Sequence, residues 1–494
     1  MHRSIFFLVF LQLFCWKGFA APYYYQYNAG CAQAYKAYLS LRPAEGNRIV
    51  EQELIAHPYN LLPVYLADYD DFLTLLFNGD PEERKQREGH QDERIQRLSE
   101  GDDNQPWKRL ALAGVHLHWA VIHVRYGEQL KAALAFRKSY LLLKENLRLF
   151  PSFAPNRMMY GVEEAIAGTI PDQYNWLMKI FGMRGNLDAG LAKINAYINA
   201  SDTNDPLFDE ALIYSVYIRF YLHAEKERAW KTVMDERHFN VRGNLLHAFV
   251  RANIALSYRK AEIAINTLKP LLALSEAQVY PVFYYEMACA QLLQLNHDCV
   301  ANFQQFVTRN KGLLFSKDAL EQTALSWYLQ GNLPKAKNAR AAILNNGSLN
   351  TDADRQAQRF AKGNDWPNPI LLTARLLIDG GNPSEALTKL QNYSASNFPK
   401  LPDLLEYHFR LGRAFEDGHR DNDAVQAYQK VINLGRERTE YFAARAALQM
   451  GGIYEEHGQK GLAIKYFQTC LSMKHHDYQA SIDQQAKAGL QRLE

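Results

Sequence analysis

A small residue followed twelve positions later by another, with a bulky apolar residue four further on, recurs along this chain. The pairs are Ala120/Ala132, Met178/Gly190, Ala252/Ala264, Ala324/Ala336, Ala374/Ala386, Gly412/Ala424 and Gly451/Ala463, Met178 being the one larger first member. Sixteen positions after each first member stand Phe136, Ile194, Leu268, Arg340, Leu390, Tyr428 and Phe467, of which only Arg340 is not apolar. Two antiparallel helices joined by a short turn approach closely only where their facing side chains are small, and a large side chain one turn on fills the space beside that contact. The intervening segments suit such turns: Gly331-Asn332-Leu333-Pro334, Gly380-Gly381-Asn382-Pro383, Asp417-Gly418-His419-Arg420 and His457-Gly458-Gln459 each stop one helix and open another. The spacing therefore predicts an all-α stack of helical hairpins.

The pattern is clearest over residues 404–493, where Leu411-Gly412, Phe415, Ala424 and Tyr428 answer to Met450-Gly451, Tyr454, Ala463 and Phe467. This resembles the tetratricopeptide repeat family. The family's repeat is about 34 residues; here the interval from Gly412 to Gly451 is longer, and the family's closing proline is missing. The resemblance implies an α-solenoid wound as a right-handed superhelix that binds peptides or proteins on its concave face. It implies no chemistry.

The intervals Met178 to Ala252 and Ala252 to Ala324 are each close to two repeats long, so a further hairpin is expected in each. Met287, Cys299 and Phe303 reproduce the spacing in the second. In the first, Leu207 to Leu222 and Lys226 to Met234 read as helices without the small residues. Before Ala120, helices are expected around Cys31 to Leu41, Asn47 to Ala56 and Leu61 to Phe77. The expectation is about eleven hairpins in one array over residues 21–494, least regular at 78–105 and 200–245. A second, local resemblance runs through Gly161, Pro171, Phe181-Gly182, Gly185 and Gly190-Leu191. It is similar to a glycine-rich signature of a eukaryotic tetratricopeptide family that includes an inclusion-body clearance protein, and is read as a structural similarity, glycines relieving crowding at a hairpin.

Residues 1–20 have the form of a secretory signal peptide: Arg3, an apolar run from Ile5 to Trp16, then Gly18-Phe19-Ala20. The expectation is export to the periplasm or beyond, with cleavage after Ala20 or Ala21. The bulk of Phe14 argues against lipid attachment at Cys15. Removing the segment takes away Arg3 and Lys17 and no acid, so the formal charge of +3 becomes +1. Near neutrality argues against nucleic acid as a partner, and no internal stretch is apolar enough for a membrane span. Cys31, Cys289, Cys299 and Cys470 then remain, too sparse for a disulfide framework. Cys289 and Cys299 fall on the two helices of one hairpin and are read as core thiols, with a bridge as the other possibility.

Chemistry leaves little trace. There is no phosphate-cradling glycine loop, zinc helix motif, nucleophile elbow or Cys-x-x-Cys. His116, His118 and His123 lack a carboxylate at ligand spacing and read as packing residues. The group Asp68, Asp70 and Asp71 departs from a calcium loop at Phe72. Asn78 to Gln105 is the most polar stretch, with charges of mixed sign, and reads as a solvated insertion or exposed helix. Asn199, Asn346 and Asn392 head glycosylation triplets that matter only in a eukaryotic source. Tyr23, Tyr24, Tyr25 and Tyr27 either start the first helix or dock into a groove.

Binding is therefore expected on the first helix of each pair, one, four and five positions after the first small residue. The candidate residues are Arg413, Glu416, Asp417, Arg375, Asp379, Tyr328, Asn253 and Glu455. They point to a charged groove near the C terminus and a more apolar one in the middle. Two functions fit: a non-enzymatic scaffold or adaptor for a protein or peptide partner, such as an envelope-associated complex, with no cofactor or metal; or a groove-based enzyme or glycan-handling protein.

Overall fold

Helices start and stop where the sequence punctuates them. Asn28 accepts a hydrogen bond from Cys31 N (2.8 Å), Thr351 from Asp354 N (2.9 Å) and Asn368 from Ile370 N (3.0 Å), and prolines occupy the first turn at Pro43, Pro106, Pro369 and Pro383. The structure, a computed structural model, describes residues 23–170, 181–223 and 225–493. The signal-like segment 1–20, Pro171 and Met178 lie outside those residues.

The first hairpin pairs α1 (Ala29–Leu39) with α2 (Pro43–Ala56). An irregular group follows: α3 (Leu62–Leu66), α4 (Asp68–Asn78), α5 (Pro81–Arg87) and α6 (His90–Ser99). Then come α7 (Pro106–Arg125) with α8 (Gln129–Leu149), and α9 (Ala154–Ala167) with α10 (Leu187–Ala200). Next, α11 (Phe208–Tyr217, prolonged by a π turn at Ile218–Leu222) pairs with α12 (Lys226–Met234), and α13 (Leu245–Ser257) with α14 (Ala261–Leu268). After the short α15 (Ser275–Gln278) stand α16 (Val282–Leu293) with α17 (Cys299–Arg309) and α18 (Ser316–Leu329) with α19 (Leu333–Ala342). Beyond α20 (Asp352–Lys362) are α21 (Pro369–Asp379) with α22 (Pro383–Leu390) and α23 (Leu401–Asp417) with α24 (Asp421–Gly435). The last pair is α25 (Phe442–Glu456) with α26 (Lys460–Ser472), covered by α27 (Gln479–Leu493). Among the described residues the chain is an all-α stack of helix pairs, and the sole β feature is a bridge between Tyr24 and Asn60.

The small residues do what their spacing implies. Ala252, Ala264, Ala324, Ala336, Ala374, Ala386, Ala424 and Ala463 are fully buried. A Cβ added at Gly412 would lie 2.5 Å from the Tyr428 ring, and one at Gly451 would lie 2.5 Å from Phe467, so the large residue sits directly on the small one. Of the expected pair Met178/Gly190, only Gly190 lies within the described residues. It packs against the backbone of Gly161, and a Cβ on Gly161 would meet the Gly190 carbonyl at 2.8 Å. Gly190 on α10 thus meets α9 across a connection much longer than the turns of the other hairpins.

The tyrosines after position 22 neither begin the first helix nor hang free. They form an extended lead-in: Tyr24 bridges to Asn60, the Tyr25 hydroxyl donates to the Leu98 carbonyl, and Tyr27 stacks on Trp107 at 5.7 Å. The polar stretch after Asn78 is also more than a solvated insertion. Its outer faces are exposed, but Arg87 and Arg94 turn inward onto Asp68, Asp70 and Asp71.

The array coils back on itself. Tyr35 and Tyr69 of the first helices donate to Glu210 of α11, at 3.2 and 2.6 Å. Lys311 after α17 lies 3.9 Å from Asp80, Gln294 donates to the Gly380 carbonyl at 2.9 Å, and Arg259 pairs with Asp417. These contacts bring helices far apart in sequence around a shared interior.

Candidate functional site

The interior of the coil is built by the first helices of successive pairs, whose inner faces cannot all be filled by neighbours because the helices diverge around the turn. Between α4, α7, α11, α13, α16 and α17 this leaves a cavity of about 640 Å³. Its walls are mainly aromatic and aliphatic, including Phe72, Phe77, Ile213, Phe249 and Phe306; Val121, 36% exposed, marks its mouth. Beside the hydroxyls of Tyr214, Tyr217 and Tyr285, charged and amide side chains are few: Arg125, Glu210, Asn253, Glu286 and Asn310. Glu210 is held by the two tyrosines. Asn253 donates to Glu286 at 3.1 Å and accepts from Tyr217 at 3.3 Å, and Asn310 donates to the Leu314 carbonyl at 3.1 Å. Burial raises both carboxyls, Glu286 to about 7.

A second feature lies where the turn after α13 meets α23 and α25. Arg413, 7% exposed, has Asp379 and Asp417 at 4.0 and 3.9 Å. Arg259 reaches the same Asp417 from across the coil, and Lys226 and Arg445 complete the cluster. Desolvation and then the mutual repulsion of these cations depress Lys226 and Arg445 below their ordinary values. Among the carboxyls, burial pushes Glu416 up even though Tyr428 and Gln449 donate to it. Four cations thus face Asp379, Asp417 and a glutamate whose neutral form burial favours.

A third space of about 430 Å³ opens beside α18, α20 and α21, lined by Glu321, Arg359, Phe360, Arg375, Asp477 and Tyr478, among others. Burial, then nearby Asp318, lifts Glu321 to about 7 against the opposing pull of Arg375, Arg340 and Arg359.

The residues expected from the sequence to face a groove divide accordingly. Asn253 lines the apolar cavity and Arg375 the third space. Arg413, Asp417 and Asp379 gather in the charged cluster, engaged with one another and with Arg259, and Glu416 beside them is held by Tyr428 and Gln449. Glu455 is paired with Arg492 at 2.7 Å. Tyr328 stacks on Trp366 at 4.7 Å, in an aromatic group capped by Arg340. Sequence reasoning missed Arg125, Lys226, Arg259 and Arg445. For Arg445 a signal existed, since it lies two helical turns before the position equivalent to Arg413, on the same face. Arg259 sits in a turn and joins the cluster only because the coil closes.

Of the three histidines, His118 joins the acidic triplet in a buried network, and His123 pairs separately. His118 Nδ1 lies 2.8 Å from Asp68 Oδ2, and Trp119 Nε1 donates to Asp68 at 3.2 Å. His123 is 2.6 Å from Glu128. Among the described residues no three metal-ligating side chains converge. Cys31, Cys289, Cys299 and Cys470 are all unbridged, and Cys299 donates to Ser326 Oγ at 3.3 Å.

No protein-family model matches the sequence, and no curated protein is similar to it. Among solved structures, the P58(IPK) TPR domain matches at 13% identity over 86% of this chain and 97% of that one, with a TM-score of 0.22. Naa15/Naa10 bound to HypK-THB matches at 14% over 93% and 77%, with a TM-score of 0.21. The APC/C hetero-tetramer Cut9-Hcn1 matches at 11% over 93% and 96%, with a TM-score of 0.28. Overlaps this poor have no bearing on function.

Proposed function

We propose that this chain is a non-enzymatic scaffold, exported to the periplasm or beyond, that holds a protein or peptide partner in the inner groove of its C-terminal half. The observation that carries the reading is the surplus of positive charge where Lys226, Arg259, Arg413 and Arg445 converge. A convergence of four cations, of which Arg413 is buried, gains from a carboxylate delivered by a ligand, so the partner offers acidic side chains or a chain terminus. Export rests on the pattern of residues 1–20. The absence of a recognisable catalytic motif and the internal engagement of most groove carboxyls support a binding role over chemistry.

The test is capture under gentle cross-linking with the chain lacking residues 1–20, followed by Arg445→Glu and Arg375→Glu. Both residues are partly exposed, so both variants should fold. Loss of the captured protein in Arg445→Glu supports the reading, and equal capture by wild type and both variants rejects this groove as the binding face.

A further inference from the structure

The apolar cavity lies apart from the charged cluster and has its own logic. Its volume of about 640 Å³ falls within the roughly 300–1,000 Å³ of small-molecule sites. Of the three tyrosine hydroxyls that also line it, Tyr217 and Tyr285 donate to Asn253 and Asp318, and Tyr214 makes no hydrogen bond among the described residues. Four of its five charged or amide side chains spend their hydrogen bonds inside the chain: Glu210 on Tyr35 and Tyr69, Glu286 on Asn253, Asn253 also on Tyr217, and Asn310 on the Leu314 carbonyl and Ser316. Arg125 is the exception. Its guanidinium makes no ion pair or hydrogen bond among the described residues, and its Nε is buried without an acceptor. The side chain lies against Gly79 at the C-terminal end of α4, where a Cβ on the glycine would come within 3.0 Å of it. The carbonyl end of that helix eases the charge without supplying a counter-ion.

We propose that this cavity binds a single-chain amphiphile with a carboxylate head, a fatty-acid-like molecule whose tail lies among Phe72, Phe77, Phe249 and Phe306 and whose head pairs with Arg125. Three comparisons of chemistry select this occupant. An apolar peptide would bring many backbone amides and carbonyls into a space whose carboxyl and amide side chains are already engaged, leaving most of its own unmet. A neutral hydrocarbon would leave the buried Nε unpaired and the half-buried guanidinium with only the charge of Asp354, which makes no ion pair with it, to offset its own. A cationic amphiphile would meet Arg125 as a like charge. A hydrocarbon tail asks nothing of the walls, and one monovalent carboxylate matches one guanidinium bidentately.

The measurement is fluorescence titration of the full chain with cis-parinaric acid, then displacement by palmitate, hexadecanol, hexadecylamine and an uncharged apolar hexapeptide. One probe should bind per chain, palmitate should displace it, and the other three should be at least about tenfold weaker, the range of one charge-assisted pair. Arg125→Met should cost palmitate about tenfold or more while leaving hexadecanol unchanged. Val121→Trp, at the exposed mouth, should abolish binding with the thermal midpoint retained. Equal affinity for palmitate and hexadecanol, or an unchanged Arg125→Met, overturns the carboxylate assignment. Displacement by the hexapeptide assigns the cavity to a partner's side chains instead. Absence of saturable binding, or binding that survives Val121→Trp, overturns the site. None of these readouts involves the partner captured at Arg445, so the two proposals fail separately.

Discussion

The two ends of the array solve the same packing problem differently. From Leu405 to Ala486 the core is a local ladder, each hairpin buried by its neighbours through repeated small-on-large contacts such as Gly412 on Tyr428 and Gly451 on Phe467. From Tyr25 to Ala290 one apolar cluster draws on many hairpins at once and encloses buried carboxyl groups: Asp68, Asp71, Glu163 and Glu210. Where the repeat is regular, stability is a sum of nearest-neighbour terms. Where it decays, long-range tethers replace the missing contacts, and the interior left between them is the apolar cavity.

The difference should be largest at Asp68, fully buried and shared by Arg94, His118 and Trp119. Asp68→Ala leaves three donors facing an empty space, including a charged guanidinium, and should cost about 3–5 kcal/mol. Chemical denaturation should show the N-terminal half failing first, with residues 401–493 still protected in hydrogen exchange. Simultaneous loss of both halves would show that the coil unfolds as one unit and that the contrast is not energetic.

Glu163 separates the halves by pH. It is fully buried, neither carboxyl oxygen has a partner, and the nearby Ser139 hydroxyl spends its proton on the Ala113 carbonyl at 2.8 Å. Burial lifts its pKa from 4.5 to about 8. The folded state therefore holds a proton that the unfolded chain has released. Its destabilising effect is absent below the unfolded value, grows as pH rises through the interval and is constant above the folded value. Glu163→Gln should match wild type near pH 4 and exceed it above pH 8 by on the order of a few kcal/mol. Thermal midpoints across that range check it, and parallel curves would refute it.

The same contrast explains what could be read beforehand. The C-terminal hairpins were visible because short turns preserve the spacing between partners. The helices at 208–222 and 226–234 were visible as apolar runs, but the pairing of Gly161 with Gly190 was hidden by the long connection between α9 and α10. Asn253 was placed on an inner face by helical periodicity. Arg125 was not, because a basic residue in a helix's last turn is ordinary; only the cavity beside it makes its lack of a partner informative. The cluster around Arg413 needed the closure from Arg259 to Asp417, which no local pattern encodes.

Within the ladder the effects shrink. Gly412→Ala gains up to about 1 kcal/mol of helix propensity, but the new methyl must displace the Tyr428 ring, a cost of about 1–3 kcal/mol. A net loss of about 1–2 kcal/mol is expected, restored by Tyr428→Leu in the double variant, which opens the space the methyl needs. Denaturation midpoints of the four-member cycle decide whether the large residue is matched to the small one.

The smallest effect belongs to Arg492, which makes a bidentate pair with Glu455 at 2.8 and 2.7 Å on the outside of the last hairpin. Both partners keep water nearby, with side-chain exposures of 53% and 21%. Arg492→Ala should cost no more than about 1 kcal/mol, falling with added salt. Set beside Asp68→Ala, it compares two carboxylate–guanidinium contacts that differ chiefly in burial. A loss at Arg492 as large as that at Asp68 would mean that the covering helix α27, and not the small-on-large ladder, holds the C-terminal end together.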